Sequence, residues 1–113
     1  MMDLAPSIYR QRIVIEGKPK YPITDEQICD YLSKLSSVLD MVTLITPVTH
    51  RSDKFGWAGW IHWETSGSHF YAWEEPILFF SVDIYTCKAF DPKKAVEFTS
   101  TYFDATEMDF KNF

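Results

Sequence analysis

Few residues in this chain can do chemistry, and their types and spacing narrow what that chemistry is. There are two cysteines, Cys29 and Cys87, and three histidines, His50, His62 and His69. No glycine-rich phosphate loop, zinc-ligand spacing or GxSxG elbow accompanies them. All four tryptophans, Trp57, Trp60, Trp63 and Trp73, fall in one short stretch, with the carboxylates Glu64, Glu74 and Glu75 among them. That stretch offers flat, rigid ring surface beside acidic groups able to attract a cation. Ser68 and His69 follow the turn-forming run Thr65-Ser66-Gly67, which adds a hydroxyl and an imidazole to the same stretch.

The elements that must position these groups are legible from periodicity. Ser7 to Glu16 reads as a first strand, followed by a loop from Gly17 to Pro22. Thr24-Asp25-Glu26-Gln27 is a capping box, and behind it Ile28, Tyr31, Leu32, Leu35, Val38 and Leu39 recur at helical spacing. Met41 to Val48 reads as a β-branched strand running into a loop from His50 to Phe55. Gly56, Gly59 and the turn Thr65-Ser66-Gly67 argue that the tryptophan segment is also a strand. Trp57, Ile61 and Trp63 then share one face, with Trp60, His62 and Glu64 on the other.

Phe70 to Trp73 and Ile77 to Cys87 follow as strands. In the latter, Leu78, Phe80, Val82 and Ile84 form a wholly apolar face, while Ser81, Asp83, Tyr85 and Cys87 share the polar one. Asp91-Pro92 supplies an N-cap and an N1 proline for a second helix carrying Ala95, Phe98, Tyr102 and Phe103. Met108 and Phe110 suggest a last short strand. The expected architecture is α+β, a two-layer sandwich in the order βαβββαβ, with two helices on one face of a mostly antiparallel sheet. The other face is left for solvent, a ligand or a second copy.

Composition limits the partners. The 113 residues suit one domain spanning 1–113, and 46% apolar with 24% charged residues is the balance of a globular protein. A net charge of −5 without a dense basic cluster disfavours nucleic acid. No apolar run approaches the roughly 20 residues that span a bilayer, and Met1-Met2-Asp3 is no secretory leader, so no membrane partner and a cytoplasmic location are expected. Both cysteines are expected to be free thiols.

Four runs together resemble the bacterial and archaeal S-adenosylmethionine decarboxylases: Thr65-Ser66-Gly67-Ser68-His69, Trp73-Glu74-Glu75, Ser81-Val82-Asp83-Ile84-Tyr85-Thr86-Cys87, and Asp91-Pro92-Lys93-Lys94-Ala95. In that family a Glu-Ser-His motif is followed by His-Thr-Trp-Pro-Glu, by a Val-Asp-hydrophobic-Phe-Thr-Cys strand and by a helix that often opens with Asp-Pro. The preceding elements and His50 fit as well, so the similarity extends over most of the chain.

The resemblance implies a proenzyme that cuts its own backbone before the motif serine. The remnant becomes a pyruvoyl group, an electron sink for decarboxylating S-adenosylmethionine in polyamine (spermidine) synthesis. By position Ser68 is the pyruvoyl precursor and Cys87 the proton-transferring acid, with His69 and His62 beside the cut. Trp73 and Glu75 match the following motif, and with Trp60 and Asp83 they are the expected substrate contacts, rings serving adenine and sulfonium. A homodimer packed through the uncovered sheet face is implied too, with no metal. The chain departs from the pattern where Gly67 replaces the glutamate, where Phe70-Tyr71-Ala72 lacks the processing histidine, and where Ala58 replaces a helper serine. The processing set is therefore incomplete, and the alternatives are a catalytically silent ligand-binding or regulatory relative and a purely structural dimer.

Overall fold

The computed structural model describes residues 3–113. Its elements follow one another as β1 (Gln11–Lys18), α1 (Asp25–Val38), β2 (Thr43–Ser52), β3 (Gly56–Trp63), β4 (Ser66–Trp73), β5 (Phe79–Thr86), α2 (Pro92–Phe103) and β6 (Glu107–Asn112). The six strands form one sheet in the order β2-β3-β4-β5-β1-β6, and every neighbouring pair is antiparallel. Four strands separate the helices, one for each of the four segments read as strands and one more than the order βαβββαβ counts.

Local chemistry explains both helices. At the start of α1 the Thr24 Oγ1 accepts from the Gln27 N–H at 3.1 Å and the Thr24 N–H donates to Gln27 Oε1 at 2.9 Å, which satisfies two orphan amides. The helix ends where Asp40 takes a left-handed φ of 61° and Met41 N–H returns to Ser36 O at 2.8 Å. At α2, Asp91 Oδ1 accepts from the Lys93 N–H and Pro92 takes the first helical position.

Both helices cover one sheet face. Beneath them lie Ile13, Ile15, Ile61, Trp63, Phe70, Phe80, Val82 and Ile84, all essentially inaccessible to solvent. Tyr31 of α1 occupies the centre, its ring 4.9 to 5.4 Å from those of Phe70, Phe98, Tyr102 and Phe103. Its hydroxyl lies 2.6 Å from Thr99 Oγ1, whose own proton goes to the Ala95 carbonyl, so Tyr31 is the donor. Trp63 is likewise satisfied, donating from Nε1 to Ser36 Oγ at 2.7 Å. Burial pushes the Tyr31 phenol pKa far up, and the group stays neutral.

Several boundaries differ from the sequence expectation, β5 being Phe79–Thr86 where Ile77 to Cys87 is expected. β1 begins at Gln11 and continues through Gly17 and Lys18, because β6 pairs with both. β2 runs on to Ser52, so His50 is a strand residue opposite Ala58, not a loop residue; Pro47 sits at a register irregularity between Ile45 and Val48 that lets the ladder resume. The turn between β3 and β4 is Glu64-Thr65 alone. Ser66 pairs with Trp63, and with Gly67 it already belongs to β4.

Candidate functional site

The uncovered sheet face is built from the other strand parity. Across its middle runs the row Val48, Trp60, His69, Asp83 and Val14, each directly opposite the next on adjacent strands. The neighbouring row is His62, Gly67, Tyr85 and Arg12. Gly67 presents no side chain between His62 and Tyr85, and the gap opens a cleft of about 340 Å³ bordered by Trp60, His62, Ser66, His69, Asp83 and Tyr85. Only glycine fits there: a Cβ would lie 2.3 Å from the Ile61 carbonyl oxygen. The family's glutamate has no room at this position in this register.

Of the expected site residues, Trp60, His62, Ser68, His69 and Asp83 come together at this cleft. His62 and His69 are exposed on its rim. Ser68 shares its parity with Phe70 and Ala72, so its side chain points to the helix-covered side; it is 4% exposed, and its Oγ has no hydrogen-bond partner. Asp83 is already engaged, accepting from Arg12 Nε at 3.0 Å and from Arg12 Nη2 at 2.8 Å. That fork-to-fork pairing neutralises the carboxylate and lifts the guanidinium pKa above its ordinary value.

Trp73 and Glu75 are not at the cleft. Trp73 lies four residues past His69 along β4, roughly 13 Å further on, packed at tilted angles between Tyr71 and Phe79 at the border of a separate hollow. Glu75 is exposed beyond it. Cys87 stands one residue past the end of β5, exposed, and is tied to the β3–β4 turn by its N–H, which donates to the Thr65 carbonyl at 2.9 Å.

Sequence reading overlooked Arg12, Tyr85, Thr65 and Ser66. Tyr85 carried a usable signal, since it shares strand parity with Asp83. Arg12 carried none, because 71 positions separate it from the carboxylate it clamps. Ser66 is identified by its backbone: with φ of 130° it is one of three non-glycine residues at positive φ among the described residues, alongside Asp40 and Asp104 at the helix ends.

A serine-derived carbonyl group fits this place. The hydroxyl of Ser68 is consumed by no structural bond, and Ser66, on the same stretch bordering the cleft, has a strained backbone. Two helices on one face of an antiparallel sheet and a ring-lined cleft on the other define a two-layer α+β protein. The family model for S-adenosylmethionine decarboxylase matches residues 17–113, and the chain belongs to that family. Among solved structures its fold is similar to the adenosylmethionine decarboxylase from Aquifex aeolicus VF5, with a TM-score of 0.74 at 17% identity over 94% of this chain and 89% of that one. A search of curated proteins by sequence finds no match. Among the described residues no helix is long and apolar enough to cross a membrane.

Proposed function

We propose that the chain is a self-processing, pyruvoyl-dependent decarboxylase acting on S-adenosylmethionine for polyamine (spermidine) synthesis. One observation supports this reading: a glycine-floored cleft on the bare sheet face is lined by Trp60, His62, His69 and Tyr85, with Ser66 and Ser68 on the strand that borders it, in a member of this family. The carbonyl group, made from a serine at the start of β4, supplies an electron sink when present. Ser66 and Ser68 are the serines available there, Ser68 being the one the motif points to.

The chain's own side chains divide the remaining work. Trp60 and Tyr85 present ring faces to the adenine and the sulfonium, the second through cation–π attraction. His62 and His69 stand on the cleft rim, where their imidazoles exchange protons with the substrate amine. Cys87 holds its thiol beside the turn that ends the cleft and returns a proton to the product carbon. The Arg12–Asp83 pair fixes the β1 side of the cleft. Trp73 and Glu75 reach a ligand bound here only from a second copy packed on the bare face, in keeping with a homodimer. The cleft of one copy, about 340 Å³, is at the lower end of the range for small-molecule sites.

Incubation of the purified protein with carboxyl-labelled S-adenosylmethionine tests the reading. Release of labelled carbon dioxide, with two fragments in the mass spectrum, is expected. An intact 13.2 kDa chain after prolonged incubation, with no carbon dioxide, overturns it and leaves a ligand-binding relative.

A further inference from the structure

We infer that the bond this chain cuts in itself is Thr65–Ser66, not Gly67–Ser68; the inference rests on the self-processing reading above. Three independent features single out the first bond. Ser66 is held at φ of 130°, where L-residues are seldom found, whereas neither Gly67 nor Ser68 has a positive φ. The Thr65 carbonyl accepts the Cys87 N–H at 2.9 Å, a donor placed where negative charge develops when a nucleophile adds to that carbonyl. The Thr65 side chain is anchored as well, its Oγ1 accepting from Thr86 Oγ1 at 3.0 Å and donating to Met41 Sδ at 3.4 Å. The acyl residue is thus clamped while the residue after it carries the strain.

Proton traffic separates the two serines further. Ser68 Oγ is buried toward the helices with no polar atom in reach, so nothing there takes its proton. Both serines belong to the stretch of β4 that borders the cleft of His62, His69 and Tyr85, but Ser66 is only half-buried and its hydroxyl is not sealed off as that of Ser68 is. The step begins as Ser66 Oγ bonds to the Thr65 carbonyl carbon, the Thr65–Ser66 C–N bond breaks, and the hydroxyl proton passes to the Ser66 nitrogen. An ester and a free amine result. Loss of the Ser66 Cα proton then breaks the Cβ–Oγ bond and releases the Thr65 carboxylate. Water removes the nitrogen as ammonia and leaves a carbonyl at residue 66. No oxidant or reductant is required.

Mass spectrometry of the full-length protein after incubation reads the bond directly. A fragment ending at Thr65 and a second one running from 66 to Phe113, without a free α-amino group, support the assignment. A fragment ending at Gly67 overturns it while upholding self-processing, and an uncut chain overturns both. Ser66→Ala is expected to remain a single chain. Ser66→Cys, in which a thioester replaces the ester, is expected to split after Thr65 when treated with hydroxylamine. A folded Ser66→Cys protein that resists hydroxylamine, or a Ser66→Ala protein that still cuts, overturns the assignment.

Discussion

The N–H of Cys87 donates to the carbonyl of Thr65 at 2.9 Å, joining the end of β5 to the turn between β3 and β4. The backbone of Cys87 and its thiol therefore serve separate ends. The N–H polarises one carbonyl and stays in place when the side chain is changed, whereas the thiol is exposed.

Cys87→Ala should accordingly separate two activities. Chain cleavage should proceed as in the parent, because the amide donor survives, while decarboxylation falls by at least about 100-fold with loss of the proton-transferring group. Fragment yield by mass spectrometry and carbon dioxide release, measured on the same sample, report the two separately. Equal loss of both would place the thiol in the cutting step.

Gly67→Ala should be costly out of proportion to one methyl group. The added Cβ meets the Ile61 carbonyl at 2.3 Å, and backbone must move, so a loss of about 2 kcal/mol or more is expected in urea unfolding. At Gly59 the nearest atom to an added Cβ is Ile28 Cγ2, at 2.6 Å, a side-chain atom, and the nearest backbone oxygen, that of Val48, is 3.2 Å away. Gly59→Ala should therefore cost less. The reverse order would show that β4 adjusts freely at Gly67.

Two tryptophans three residues apart should behave differently. Trp63 is fully buried and bonded to Ser36, and Trp63→Ala should cost roughly 3–5 kcal/mol of stability. Trp60 lines the cleft on the bare face. Trp60→Ala should leave the urea midpoint nearly unchanged and weaken S-adenosylmethionine binding about tenfold by calorimetry, the worth of one ring contact. Unchanged affinity would remove Trp60 from the site.

Arg51 and Glu74 tie β2 to the end of β4 by two hydrogen bonds, of 2.8 and 3.1 Å. The hydrogen bonds from Arg51 hold the Glu74 carboxyl below the usual glutamate range. A lowered folded pKa adds stability that is fully present above the unfolded value, about 4.3, and disappears as the pH falls through the folded one. Glu74→Gln should thus cost up to about 1 kcal/mol at neutral pH, since the pair is partly exposed, and progressively less on acidification. Urea titrations at the two extremes measure the difference; a cost that grows in acid would contradict the assignment.

Much of this protein was determined within single elements. Thr24 with Gln27, and Asp91 with Pro92, mark helix starts because the groups that satisfy the first amides lie within three residues of them. The parity of Phe80, Val82 and Ile84 against Ser81, Asp83 and Tyr85 distinguished core from bare face, since alternation is a property of the strand alone. The same rule divided Trp63 from Trp60. Tertiary structure decided what depends on register between distant segments. It placed β1 between β5 and β6, set Arg12 against Asp83, brought the Cys87 amide to Thr65, and removed Trp73 from the cleft that its motif neighbours share. The strain at Ser66 and the forbidden Cβ at Gly67 belong to that second group. Both arise from how a two-residue turn closes against β3 and β5 together, a geometry fixed by hydrogen bonds among three strands and written in none of them.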